Sequence, residues 1–258
     1  MENKEEKIIL AKLNDKIRLC KTKNKLVNTE FLNMYQENII RKELERIKAK
    51  NYILTGGYSE AESKILIMYP EKITEEIAKE NITNIIKVIK IQLPNEQKGK
   101  YQHRDYLGTI MQFGLERERI GDIIVYEDEA YVIALSENAQ YIKDSLQTTK
   151  KFKKSKIEII DIVEMKVKKP EFEEIKISVN SQRLDNFISE ICKISRSETT
   201  RLIESELVSI NCKIETKQTK TVEIGDVLII RGKGKFIVSD FLDINRKGKQ
   251  VAIVKKYK

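Results

Sequence analysis

Arg183-Leu184-Asp185-Asn186-Phe187-Ile188-Ser189-Glu190-Ile191 is the stretch from which the C-terminal part of this 258-residue chain is read. Leu184, Phe187, Ile188 and Ile191 recur at spacings of three, four and seven, which on a helix gives one apolar face and leaves Arg183, Asn186 and Glu190 outside. Ser195-Arg196-Ser197-Glu198 follows, a serine with glutamate three places on. That spacing predicts a capping box, in which the Ser195 hydroxyl accepts the Glu198 N–H and the Glu198 carboxylate reaches back. Leu202 and Ile203 turn inward on this second helix. Leu207-Val208-Ser209-Ile210-Asn211 reads as a strand entering a turn, and Val222–Phe241 alternates through Gly225-Asp226 and Arg231-Gly232-Lys233-Gly234-Lys235-Phe236. Gly232-Lys233-Gly234 is not a nucleotide-binding loop, because it precedes a strand rather than a helix.

Upstream, Lys166-Val167-Lys168-Lys169-Pro170 reads as a linker, since proline ends regular structure and the lysines keep it solvated. Before it, Ile85–Leu93 alternates like a strand, His103–Phe113 has helical spacing, and Ile123–Tyr126 with Tyr131–Leu135 reads as a hairpin around Glu127-Asp128-Glu129. Ala139–Leu146 is helical and Ile157–Val163 a last strand. The order strand, helix, strand, strand, helix, strand is the split arrangement of many RNA-recognition domains. Enzymes and small-molecule sensors use it too, so topology alone decides no function. The third strand, Tyr131-Val132-Ile133-Ala134-Leu135, offers one aromatic for base stacking. Nearer the start, Ile9, Leu13, Ile17 and Cys20 mark one helix and Asn33 caps a second. Tyr52–Tyr58 with a Gly56-Gly57 turn, a helical Ser59–Ser63 and a strand at Ile65–Tyr69 come next.

The expected architecture is α+β in three small units. These are a helical/α+β domain over 1–80, a central RRM-like domain over 81–165, a linker over 166–180, and a C-terminal domain over 181–258. The net charge of +9 is unevenly placed. Residues 1–139 hold 23 Lys/Arg and 23 Asp/Glu, residues 140–169 nine against four, and residues 170–258 seventeen against thirteen. The excess therefore lies wholly in the second half. A basic half fits a polyanion partner, since each neutralised phosphate releases condensed counterions; a lysine-rich solubilising surface is the plain alternative. Cys20, Cys192 and Cys212 are scattered and odd in number, which speaks against a disulfide framework or a Cys-x-x-Cys metal site. Apolar runs are too short and too charged to span a bilayer, and Met1-Glu2-Asn3-Lys4-Glu5-Glu6 lacks signal-peptide character, so a cytoplasmic protein is expected.

Arg183-Leu184-Asp185, Ser195-Arg196-Ser197, the Leu207–Asn211 strand, Gly225-Asp226 and Arg231-Gly232-Lys233-Gly234-Lys235 match, in order and spacing, the S-four domain of ribosomal proteins, tyrosyl-tRNA synthetases and pseudouridine synthases. The resemblance implies an L-shaped basic surface, made by the second helix and the following strands, that grips folded RNA. Carried over by position, it makes Arg183, Ser195, Arg196, Arg201, Lys213, Lys217, Arg231, Lys233 and Lys235 candidates for phosphate contact. Hydroxyls, helix N-terminal amides and arginine forks all suit phosphate. Two departures stand where the family usually has glycine, Glu206 and Cys212. A left-handed conformation there costs a non-glycine residue about 1 kcal/mol.

Tyr101-Gln102-His103-Arg104-Asp105-Tyr106-Leu107-Gly108, Arg117-Glu118-Arg119-Ile120-Gly121-Asp122, Thr29-Glu30-Phe31-Leu32 and Gly56-Gly57-Tyr58 extend the likeness over nearly the whole chain. With the C-terminal domain they resemble the YlmH family of bacterial S-four-domain proteins. That resemblance implies a non-enzymatic RNA-binding protein acting on rRNA or tRNA. It further implies association with the large ribosomal subunit and peptidyl-tRNA, in rescue of stalled translation. Ser63 departs from the pattern at a place where the family carries arginine. His103, the only histidine, reads as capping or packing the start of its helix, with Arg104, Arg117 and Arg119 as the RNA-contact option. The alternation Glu116-Arg117-Glu118-Arg119 dilutes any positive field there. The expected protein is a monomer with no cofactor, no membrane contact and no small-molecule substrate. Two rivals remain. One is an RNA-modifying enzyme, because Arg183-Leu184-Asp185 is similar to the catalytic tripeptide of pseudouridine synthases. The other is a protein-binding adaptor linked to cell division.

Overall fold

In the computed structural model, which describes residues 4–246 and 248–257, packing separates Met1–Val167 from Lys168–Lys258, each with its own core. The first unit begins with α1 (Lys4–Lys23), β1 (Val27–Asn28), α2 (Met34–Arg46), β2 (Tyr52–Thr55) and β3 (Ile65–Met68). Asn33 caps α2 as expected. Its Oδ1 accepts the Gln36 N–H at 3.0 Å, and the Gln36 side chain accepts the Asn33 N–H at 2.9 Å. Helix α3 (Glu75–Glu80), the short α4 (Ile82–Ile85), β4 (Ile86–Gln92), α5 (His103–Met111), β5 (Ile120–Val125), β6 (Glu129–Leu135), α6 (Ser136–Thr148) and β7 (Lys156–Asp161) complete it.

Strands β1, β3 and β2 form an antiparallel sheet with β3 in the middle. The other sheet runs β5-β6-β4-β7, all antiparallel, with the two βαβ units interleaved in the split arrangement read from the sequence. All four residues of β3 are buried, Ile65, Leu66 and Ile67 at 0 % exposure. A continuous apolar strand is what a sheet covered on both faces requires. Leu66 and Met68 pack with α1 and α2 around Leu13, Ile40 and Leu44. Ile65 and Ile67 face the other way, onto Ile86, Val88, Tyr131 and Ile133 of the four-stranded sheet. Its far face carries α5 and α6 through Tyr106, Ile110, Ile142 and Leu146. A boundary at 80/81 therefore runs beside a core that both sheets share.

The second unit holds β8 (Phe172–Val179), α7 (Leu184–Cys192), α8 (Arg196–Glu204), β9 (Val208–Ile210), β10 (Lys213–Ile214), β11 (Val227–Ile230), β12 (Gly234–Ile244) and β13 (Gln250–Tyr257). Its six-stranded antiparallel sheet runs β10-β9-β11-β12-β13-β8. Residues 172–179, expected within a linker, are instead an edge strand paired along its length with β13. Ile175, Ile177 and Val179 at alternate positions supply apolar surface to the core, which is why the segment is ordered. Leu184, Phe187, Ile188 and Ile191 of α7 are buried on the same core with Phe236, Val238 and Val254.

Both positions lacking the family's glycine adopt the backbone that glycine would favour. Glu206 has φ 58° and closes α8, its N–H donating to Ile203 and the Leu207 N–H to Leu202, the bond pair of a Schellman motif. Asn211 (φ 51°) and Cys212 (φ 65°) are the two-residue turn between β9 and β10, a conformation that prefers Asn-Gly. The Asn211 side chain secures it, donating to Asp226 at 2.7 Å and accepting the Val227 N–H at 2.9 Å.

Candidate nucleic-acid interface

Helix α8 sets out the basic residues of the second unit. The Ser195 hydroxyl accepts the Glu198 N–H at 3.2 Å and lies 2.9 Å from the Ser197 hydroxyl. The expected return bond from the Glu198 carboxylate is not made among the described residues; that carboxylate lies 3.8 Å from Lys233 Nζ instead. Lys233 sits in the β11–β12 turn, so this contact brings the turn to the first turn of α8. Arg196, the first helical residue, is exposed, with Asp185 in its electrostatic reach.

Arg183, at the α7 N-cap, is committed elsewhere. Its guanidinium donates to both Asp185 oxygens, at 2.6 and 3.1 Å. Hydrogen bonding from Arg183 holds the Asp185 carboxyl below the usual carboxylate range, and the Asn186 N–H adds a bond of 2.9 Å. The 217–220 loop is bonded to both helices. Its Lys220 and Gln218 carbonyls accept the Leu184 and Asp185 N–H groups at 2.8 and 3.2 Å, while the Gln218 side chain meets Thr200 and Glu204 of α8. The loop that carries Lys217 and Lys220 is thereby fixed against the start of α7 and against α8, and sequence reasoning missed Lys220. No local pattern marks Lys220, since only the tertiary bonds of its loop bring it there. Arg196, Arg201, Lys217, Lys220 and Arg231 are exposed and make no ion pair among the described residues.

The remaining candidates do not join this group. Lys213 lies on β10 at the sheet edge. Lys235 pairs across from Ile229, one place out of step with buried Phe236, so it points away from α7 and α8; its Nζ stands 4.5 Å over the Tyr257 ring. Arg104 is exposed on α5 of the first unit. His103 is exposed as well and is not the cap: Gln102 is, with its N–H donating to Asp105 at 3.0 Å.

The other conspicuous motifs meet in a half-buried joint of the first unit. Asp122 accepts the Tyr58 hydroxyl at 2.8 Å and the Glu62 and Ser63 N–H groups at 2.8 and 3.0 Å. This is why the helix expected at 59–63 does not form: the N–H groups go to a carboxylate. Desolvation and the Asp122 charge together drive the Tyr58 phenol far above its ordinary range. A Cβ on Gly121 would lie 2.7 Å from the Phe31 ring, and one on Gly56 2.4 Å from the Ser63 carbonyl oxygen. Arg117 donates to the Ile120 and Gly121 carbonyls, and Arg119 pairs with Glu137 and Glu116. Of the three arginines weighed for RNA contact here, only Arg104 makes no hydrogen bond or ion pair among the described residues, with Asp105 in its electrostatic reach.

Residues 84–174 match the family model described as "Putative RNA-binding domain in YlmH". The "Ribosome-associated protein quality control protein P2" of Bacillus subtilis is 27 % identical over 237 residues, spanning 90 % of this chain and 88 % of that protein. A solved structure, "Cell division protein ylmH from Streptococcus pneumoniae", aligns at TM-score 0.49 and 21 % identity, covering 64 % of this chain and 96 % of that one. The central segment thus matches the RNA-binding domain described for YlmH, and most of the chain's length is similar to a ribosome-associated quality control protein.

Proposed function

We propose that this chain is a non-enzymatic RNA clamp of the ribosome, gripping large-subunit rRNA, peptidyl-tRNA or both during rescue of stalled translation. The observation that carries the reading is the set of exposed cations held by α8 and its neighbouring turns, of which Arg196, Arg201, Lys217, Lys220 and Arg231 make no ion pair among the described residues. Rigid elements with free arginines and lysines suit phosphate, and positioning by phosphate needs no chemistry. The relative's name, with its ribosome association and quality control, supports the same direction. In this reading Asp185 is a structural acid: its two oxygens are occupied by Arg183, so it orients the start of α7 rather than attacking a base.

The test is co-sedimentation with purified large ribosomal subunits across a salt series, beside an assay for uridine isomerisation in the bound RNA. Binding should be present at low salt and fall steeply as salt rises. No pseudouridine should form, and Asp185→Asn should alter folding or affinity only. Salt-independent sedimentation would refute the clamp, and isomerisation lost in Asp185→Asn would make the protein an enzyme.

A further inference from the structure

The strand order of the four-stranded sheet is the one on which many RNA-recognition domains splay bases over an open face, yet here that face is closed. Val88, Tyr131 and Ile133 lie beneath Phe31, Ile65 and Ile67, and Tyr131 is 1 % exposed. The opposite face is covered by α5 and α6. RNA contact by this unit therefore has to use a rim.

One rim has the composition for it. Lys98, Lys100 and Arg104 lead into and open α5, while Lys150 and Lys153 lie in the turns after α6, and all five are exposed. None makes an ion pair among the described residues, although Arg104 lies within electrostatic reach of Asp105 on the same helix. Their neighbours do: Lys151 meets Asp105 at 2.9 Å, Lys154 meets Glu96 at 3.7 Å and Lys156 meets Glu158 at 2.9 Å. The two segments are fastened together from beneath. Tyr106 stacks on Phe152 with ring centroids 4.9 Å apart, both rings buried, and Tyr101 packs its edge on Phe152 at 5.2 Å. The Tyr101 hydroxyl donates to the Lys151 carbonyl at 3.4 Å. Lys98 and Lys154 also line one polar recess of about 460 Å³ with Asn95 and Glu96. The cations thus stand on a braced base.

We propose that this rim is a second RNA contact, binding the phosphate backbone of double-helical RNA without regard to sequence; the inference rests on the clamp reading above. A duplex is favoured over single strands because the rim offers no exposed ring for stacking, Tyr101 being half-buried in its own cluster. RNA is favoured over an acidic protein because no large exposed apolar side chain lies within 94–104 or 149–156 to form an interface core.

The experiment compares the full chain with Lys98→Gln/Lys100→Gln/Arg104→Gln/Lys150→Gln/Lys153→Gln and, separately, with Arg196→Glu/Arg201→Glu. Binding is measured over a salt series to RNA duplexes of about 16 base pairs, a span known to suit duplex-reading domains, and to large ribosomal subunits. Circular dichroism follows the fold, and Lys150→Gln/Lys153→Gln serves if the fivefold variant unfolds. Rim neutralisation should weaken duplex binding at least tenfold for every sequence and reduce the salt slope by roughly two to four units. A folded rim variant with wild-type affinity and slope overturns the inference while leaving the clamp standing. So does loss of subunit binding with naked duplex binding intact, since the rim's partner would then be a protein. A wild-type chain that binds no RNA would bring down the clamp reading itself.

Discussion

Gly56-Gly57-Tyr58 with Gly121-Asp122 in the first unit, and Ser195-Arg196-Ser197 in the second, are equally conspicuous in the sequence, and folding puts them to opposite uses. Asp122 spends both oxygens on the chain that carries Tyr58, Glu62 and Ser63, and its neighbouring glycines have no room for a Cβ. Arg196 and Arg201 make no ion pair among the described residues and project from a capped helix. The difference teaches that a distinctive motif names a constraint, and whether the constraint is internal or external is written in its partners. Internal motifs should fail by unfolding, external ones by losing a ligand.

Asp122→Ala probes the internal side and has the largest expected effect. It strands the Tyr58 hydroxyl and two backbone N–H groups, a loss of about 3 kcal/mol in the stability of the first unit. Denaturant unfolding with limited proteolysis would report it, and a wild-type midpoint would dissolve the contrast. Arg196→Glu/Arg201→Glu probes the external side. RNA affinity should fall about tenfold to a hundredfold and the salt slope by up to roughly two units. Stability should move by less than about 0.5 kcal/mol. Unchanged binding in the folded double variant would shift attention from α8 to the rim of the first unit.

The contrast can be sharpened at positions that are strained yet exposed. Glu206→Gly and Cys212→Gly each relieve a left-handed backbone and should stabilise the second unit by about 1 kcal/mol, with RNA affinity unchanged. Thermal unfolding measures the first effect and filter binding the second. The smallest change expected is at Lys235. Lys235→Ala loses the stacking over Tyr257, about 0.5 kcal/mol, and leaves binding through α8 intact because the side chain lies on the sheet's other face. A tenfold loss of affinity in that variant would mean that RNA wraps the sheet.

Helices and caps were the legible part. The apolar spacing of α7, the Ser195 cap and the Asn33 cap depend on residues within one or two turns, so their chemistry is contained in the local string. The segment 59–63 misled for the same reason: its local pattern is helical, but the donors are claimed by Asp122, some sixty residues away. The strand at 172–179 was hidden because its apolar residues alternate beneath a run that begins with lysines and a proline, and its partner β13 lies at the far end of the unit.

Periodicity and capping within the chain decided that this protein would be built from these helices and strands, and that the cations of α8 would stand on a rigid element. Three matters were left to packing between distant segments. β3 came to cover the face that the strand order of the central sheet leaves open, because an apolar run such as Tyr131–Leu135 must be buried on both sides and does not say by what. The loop carrying Lys217 and Lys220 came to lie against α7 and α8, while Lys235 went to the opposite face of the sheet. Arg117, Arg119 and Arg183 were consumed by internal partners, leaving Arg196, Arg201 and Arg104 without ion pairs among the described residues. A residue's type fixes the charge it carries; only the position of the opposing charge in space determines whether that charge is available to a phosphate.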